Sequence, residues 1–281
     1  MVLLNHEDEA RQEIKVRFAT IEDKQRILKL VEKTWDWGDY VSAVLDSWLS
    51  ERSGRLFVAF YSSELVAIAH LSFERAGLGW MEGARVRKEF RGRGIATMMA
   101  TEILDYASSI GLQKVRLAVA VGNEPSLRHV AKVGFKAVTT FRRLVAKASL
   151  SSTPQLGKAP AEKVFGSTPY GLYHGMFYKD FRWLDLDHEV FEDYSASGRA
   201  FEIQGTVVVH TSDRSDVESG RVAEVGYLQP GGEAFLEQLK SLFAMKLFDG
   251  IELVVPTDLT FEESGKVQQY GEEFVVFEKN L

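Results

Sequence analysis

The stretch Arg91-Gly92-Arg93-Gly94-Ile95-Ala96 holds the residue types that grip a diphosphate. Two glycines let a backbone wrap close to an anion with no Cβ in the way. A segment of helical period begins directly after them. Ile95, Met98, Met99, Ile103, Tyr106 and Ile110 recur at spacings of three and four, and Gly111 is placed to end the helix. The first turn of a helix leaves backbone N–H groups unpaired and carries partial positive charge, so a Gly-rich turn feeding it is suited to anions. Arg91 and Arg93 add mobile positive charge. The two common nucleotide fingerprints do not fit. No Gly-Lys-Ser/Thr follows the glycines, and the strands before them read as a meander rather than as the start of a βαβ unit.

The surrounding pattern supplies elements to hold this turn. Ile14 to Phe18 alternate apolar and charged residues, as a strand does. Thr20 with Asp23 offers a helix start, with Ile27, Leu28 and Val31 on one face, and a second helix is predicted over Val41 to Leu49. Leu56 to Tyr61, Leu65 to Phe73 and Trp80 to Val86 read as three strands of an antiparallel meander. After the long helix come a strand over Val115 to Val121, a short helix over Glu124 to Lys132, and one or two strands over Phe135 to Ala146.

On these residues the N-terminal half resembles the GNAT acetyltransferase superfamily. The superfamily's diphosphate signature, R/Q-x-x-G-x-G/A, is matched by Arg91, Gly94 and Ala96, with a strand ending at Val86 before it. Asn123-Glu124-Pro125-Ser126 and Gly134-Phe135 look like its second motif, and the resemblance spans residues 14 to 146. It implies an α/β (α+β) fold: a mixed, bent sheet flanked by helices, with the strands over Trp80 to Val86 and Val115 to Val121 splayed apart. It also implies acetyl-CoA as acyl donor, without a metal, and a primary amine as acceptor, either a small molecule or a peptide. By the same resemblance, backbone groups at Ala84 and Val86 pair with the pantetheine arm. Gly92, Arg93, Gly94, Ile95, Ala96 and Thr97 surround the diphosphate, and Asn123 bonds the pantetheine.

The chemistry of acetyl transfer asks for a base. In the family this is commonly a Glu on the fourth strand, acting directly or through water, and Glu82 is the carboxylate in the middle of that strand here. The plainer reading is a solvated carboxylate on a strand face. The family's usual leaving-group acid is a Tyr five residues before the Phe of Gly-Phe, where this chain has Val130. Ser126, one turn earlier, could orient a water there, whereas His129 points elsewhere around the helix. The departure at Val130 keeps open a second reading, a catalytically impaired acyl-CoA-binding or interaction module. On the acceptor side the resemblance places Trp35-Asp36-Trp37 and Tyr40 at the pocket border. Aromatic faces with a carboxylate suit an ammonium, although tryptophans also simply cap helices and fill a core edge. His70 and Glu74 receive no role.

The C-terminal half repeats the later part of the element order. Arg199 to Ile203, Thr206 to His210 and Arg221 to Leu228 read as strands, Glu233 to Lys246 as a helix, and Ile251 to Val255 and Phe274 to Glu278 as strands. A constant shift of 136 (251 minus 115) lays Val115 on Ile251 and Phe141 on Phe277. This predicts a diverged duplication. The same shift lays Gly94 on Pro230, Arg91 on Tyr227 and Arg93 on Gln229, so the positive charge of the cradle is lost. The expected organisation is a GNAT-like acetyl-CoA-binding domain over 1–148, a Ser/Pro-rich linker over 149–162, and a smaller degenerate GNAT-like domain over 163–281. Tyr170 to Trp183, dense in aromatics, reads as an interdomain contact or lid, or as ordinary core. A formal net charge of -6 argues against nucleic acid as partner. The absence of cysteine excludes thiol nucleophiles and Cys-ligated zinc. With no long apolar run, a cytoplasmic chain without a membrane partner is expected, as monomer or homodimer.

Overall fold

A computed structural model describes residues 14–32, 34, 38–50, 52–216, 220–260 and 267–281. The chain divides into two compact units. The first comprises Met1–Leu117, Pro125–Lys136 and Glu278–Leu281; the second comprises Ala118–Glu124 and Ala137–Phe277.

In the first unit, strand β1 (Ile14–Phe18) lies antiparallel to β2 (Gly54–Tyr61). The chain then turns into helix α1 (Lys24–Val31). Asp23 fixes that turn by accepting the Thr20 N–H at 2.9 Å and gripping Arg17 through both oxygens, at 2.6 and 2.9 Å. α1 and α2 (Val41–Ser50) bury Ile27, Val31, Val41, Leu45 and Trp48 against Leu56, Val58, Leu65 and Ile68 of the sheet. The predicted meander is present: β2, β3 (Glu64–Phe73) and β4 (Leu78–Val86) are antiparallel neighbours in that order. Helix α3 (Ile95–Ser109) returns the chain to β5 (Lys114–Ala120), which runs parallel to β4. α4 (Glu124–Lys132) and β6 (Lys136–Lys147) follow. Glu278 returns to this unit at the end of the chain, where its carboxylate binds Arg116 Nε at 2.7 Å.

Two irregularities shape β4. Its register against β3 passes from Ile68–Arg85 to His70–Glu82, so β4 carries one extra residue, a bulge at Gly83–Ala84. Gly83 has φ +65 and is buried. The second irregularity is on the other edge. The β4–β5 ladder runs from Leu78–Lys114 to Trp80–Arg116 and, among the described residues, goes no further. From Met81 to Val86 the β4 backbone therefore lacks a β5 partner.

The second unit repeats this plan. β10 (Ala200–Ile203), β11 (Thr206–Asp216) and β12 (Gly220–Leu228) form an antiparallel meander. α7 (Glu233–Met245) follows, and β13 (Gly250–Pro256) then lies parallel to β12. β6 pairs antiparallel with β13 along its length, and β15 (Phe274–Asn280) closes the chain. The offset between the halves is not constant. Leu78 pairs with Lys114 and Val222 with Gly250, so the strand before the long helix is offset by 144 (222 minus 78) and the strand after it by 136 (250 minus 114). Part of the difference falls in the turn before the helix. In the second unit that turn, 229–232, has four residues against the eight between β4 and α3, and it carries no arginine.

Three further segments take a definite place in the structure. The Ser/Pro-rich stretch 149–162 does not hang free within this unit. It includes β7 (Leu156–Lys158), paired with β10, and Ser151 and Ser152 donate their backbone N–H groups to Ser241 Oγ, both at 3.0 Å. The aromatic stretch resolves into α5 (Thr168–Leu172) and the hairpin β8 (Met176–Lys179)–β9 (Arg182–Asp185). Tyr173, Phe177, Tyr178 and Trp183 are buried there, so this segment is core of its own unit. Helix α6 (His188–Ala196), absent from the sequence reading, starts at Asp187, whose side chain accepts the Val190 N–H at 2.8 Å.

Candidate active site

The turn at Arg91–Ala96 takes the shape its composition predicts. Gly92 and Gly94 sit at φ +79 and +75, in the left-handed region that disfavours a side chain. A Cβ at either would meet no atom within 4 Å, so the space in front of the turn is open. Gly94 caps α3, and the first N–H returned to the helix is that of Met98, bonded to the Gly94 carbonyl at 3.0 Å. The N–H groups of Ile95, Ala96 and Thr97 precede it and make up the polar end of the helix. No acidic residue occupies that first turn. Ile95 is buried and anchors the end, while Ala96 and Thr97 are half-buried. Arg91 is exposed and donates through Nε to the Val86 carbonyl at 3.1 Å, folding the turn back on the strand end. Arg93 lies over the Phe90 ring at 5.1 Å. The arrangement can receive an anion with several negatively charged oxygens.

Glu82 lies on the same strand, four residues before Val86. At the rise of a strand this is about 13 Å along β4. Ala84 is exposed on the stretch between, which is also the stretch without a β5 partner. Glu82 is not the solvated carboxylate of the plainer reading: its side chain is 10% exposed, and its Oε1 lies 3.2 Å from His70 Nδ1. His70, given no role from sequence, is its cross-strand neighbour and is completely buried. The imidazole stacks on the Trp48 indole, centroids 4.3 Å apart and planes 5° apart.

Tyr40 precedes α2 and meets Trp48 edge-on at 6.2 Å. The residue is 46% exposed, but desolvation around the hydroxyl, followed by the Glu82 charge, pushes the phenol up to about 12, so the hydroxyl stays neutral at physiological pH. Arg85 lies 5.5 Å from the Tyr40 ring and holds Asp39 by two bonds, Nε–Oδ2 at 2.7 Å and Nη2–Oδ1 at 3.1 Å. Asp39 also accepts the Val41 N–H at 3.0 Å, which pins the start of α2. Trp35, Asp36 and Trp37 lie outside the described residues. Asn123 follows β5 in the second unit, with its N–H on the Ala120 carbonyl at 2.9 Å. Ser126 occupies the first turn of α4, and Val130 one turn later is buried. Burial lowers the pKa of His129, on the same helix. Among the described residues no group of three or more His, Asp or Glu side chains is placed to hold a metal ion. No described helix is long and apolar enough to cross a membrane.

The second unit shows what these features look like without a cradle. At the offset of 144, Glu82 falls on Gly226, where a Cβ would overlap the Tyr178 carbonyl oxygen. Between β12 and β13 the Tyr173 hydroxyl accepts the Leu228 N–H and donates to the Val254 carbonyl, both at 3.3 Å.

A parallel β4–β5 pair that separates after three rungs, with a Gly-rich helix start at the end of β4, is the architecture of a GNAT domain. Residues 22–135 match the Acetyltransferase (GNAT) family, and the chain carries an N-acetyltransferase domain of that family, whose enzymes use acetyl-CoA. Three solved structures share the fold over nearly the whole chain. A proposed acetyltransferase from Thermoplasma acidophilum is 21% identical, with 98% of this chain and 96% of that one covered and a TM-score of 0.57. A GCN5-related N-acetyltransferase from Sphaerobacter thermophilus is 13% identical over 95% and 96%, with a TM-score of 0.57. A proposed acetyltransferase from Pyrococcus horikoshii is 16% identical over 96% and 90%, with a TM-score of 0.56. No protein of curated function matches the sequence.

Proposed function

We propose that the first unit transfers the acetyl group of acetyl-CoA to a primary amine, with Glu82 as the base. The observation that carries this reading is the layout of β4: a half-buried carboxylate, a backbone edge that β5 does not pair and an anion-receptive helix start follow one another on a single strand. The turn from Arg91 to Thr97 would take the diphosphate. The edge at Ala84 and Val86 would pair with the pantetheine arm as an added strand does. The thioester carbonyl then lies toward Glu82.

In the reaction the amine nitrogen bonds to the carbonyl carbon, Glu82 takes the amine's proton directly or through a water, and the carbon–sulfur bond breaks. Val130 offers no proton to the leaving sulfur, and a missing general acid costs on the order of 10²–10⁴ in rate. A thiol pKa of about 8.5 lets thiolate leave unaided at that cost. Ser126, one turn before Val130, is assigned to hold a water near the sulfur. Tyr40 with Trp35, Asp36 and Trp37 would border the acceptor.

The test is thiol release from acetyl-CoA across a panel of alkylamines, diamines and free-amine peptides, alongside direct binding of CoA. Glu82→Gln is expected to lower kcat on the order of 10²-fold or more with acetyl-CoA affinity unchanged. An unchanged rate removes Glu82 from the mechanism. The buried Val130 supports a second reading, an acyl-CoA-binding module, which predicts binding without turnover on every acceptor.

A further inference from the structure

We propose that His70 is a positioning residue for Glu82, fixed in turn by Trp48 and by the glycine bulge of β4. The inference rests on the reading of Glu82 as base.

The extra residue at Gly83–Ala84 sets the register that puts Glu82 opposite His70. A carboxylate oxygen accepts, so His70 Nδ1 carries the hydrogen of the 3.2 Å contact. The imidazole cannot turn away, because the indole of Trp48 covers one face in near-parallel contact. Trp48 is held by the bulge. A Cβ at position 83 would stand 2.6 Å from Trp48 Cη2, so the indole occupies the space that glycine leaves. Gly83 thus sets the strand register and also admits the ring that clamps the histidine.

The Tyr40 phenol at the start of α2 feels the Glu82 charge, and the Arg85 guanidinium on β4 is held by Asp39. His70 acts from β3. Its bond holds one carboxylate oxygen, so the base has a fixed orientation on its strand rather than a range of rotamers.

The experiment uses the full chain, acetyl-CoA as donor and the amine panel named above, with His70→Leu, His70→Asn and Glu82→Gln made singly and with His70→Leu combined with Glu82→Gln. The amide nitrogen of Asn reaches the place of Nδ1; Leu keeps bulk without a donor. Expected for His70→Leu are a fall in kcat of about 10- to 100-fold and little change in KM for acetyl-CoA. His70→Asn recovers most of the rate. In the Glu82→Gln background, His70→Leu has no further effect. If His70→Leu does not fold, His70→Gln, whose amide falls beyond the Nδ1 position, replaces it in the comparison with His70→Asn. A folded His70→Leu protein with wild-type kcat, beside a strongly impaired Glu82→Gln protein, overturns the inference and leaves the base assignment standing. Losses that multiply in the double variant overturn it as well. Full activity in Glu82→Gln instead removes the base assignment on which the inference rests.

Discussion

Glu224, buried, and Glu82, half-buried, show how differently two carboxylates in this chain are treated. Glu82 has a histidine beside it; Glu224 has only neutral donors. Its Oε1 accepts from the Asp180 N–H and Ser212 Oγ, each at 3.0 Å, and from Thr211 Oγ1 at 3.2 Å. Its Oε2 has no partner among the described residues. Burial pushes the carboxyl up to about 7, against 4.5 in an unfolded chain. Below pH 4.5 the acid is neutral in both states and its contribution to stability is complete. Between 4.5 and 7 the unfolded chain releases the proton and the folded chain does not, so stability falls, by about 3 kcal/mol at most. His210 works in the opposite direction. Burial lowers it to about 4, so its contribution is present above pH 6.5 and is lost as pH falls through 4. Glu224→Gln removes only the first effect. In denaturant melts at pH 4.5, 6 and 8, the variant is expected to gain on the parent protein as pH rises. A constant difference across that range would mean that Glu224 is already ionised when folded.

At the scale of elements, the parts that follow local rules were legible. The helix over Glu124–Lys132, the long helix opening at Ile95 and the order of the meander all came from periodicity and Gly/Pro punctuation. The His70–Glu82 contact was not legible, because it depends on which residue of β3 faces which of β4, and a one-residue bulge resets that pairing. Gly83 was a signal available in advance: a glycine inside an apolar strand marks a bulge or a close approach, and here it marks both. The aromatic stretch from Tyr170 to Trp183 was ambiguous for another reason. Composition does not distinguish a lid from a core, since large rings serve either. The structure gives Tyr173 a specific place, with its hydroxyl bridging β12 and β13 where their ladder has ended. Tyr173→Phe leaves a buried N–H and a buried carbonyl without that partner, at about 1–3 kcal/mol for each unsatisfied group. For a unit of this size about 2 kcal/mol corresponds to a melting point lower by roughly 4–8 °C. A melting point within a degree of the parent would show that the bridge contributes nothing.

For the whole molecule, the duplicated plan raises the question of how many acyl-CoA sites one chain carries. Overlaying the halves at a single shift hid the answer, because an eight-residue shortening between two strands is invisible while the strands after it stay in step. The two helix starts differ in every respect that matters to a phosphate. α3 begins after a left-handed Gly94 with open space in front and no acid in its first turn. α7 begins after an extended Gly232, carries Glu233 in its first turn, and has the Phe235 ring packed so closely on Gly231 that a Cβ there would overlap it. Negative charge at a helix N-terminus already satisfies the field that would draw an anion. The gap between β12 and β13 is bridged by Tyr173, and the position matching Glu82 is a glycine under the Tyr178 backbone. Calorimetric titration of the full chain with CoA is therefore expected to saturate at one equivalent. Arg91→Ala with Arg93→Ala should weaken that single event, by about 1.5–3 kcal/mol if each guanidinium makes a charge-assisted bond to the diphosphate. A second equivalent that survives the double substitution would place a site in the other half and sink the view that duplication here preserved the fold while confining the acyl donor to one copy.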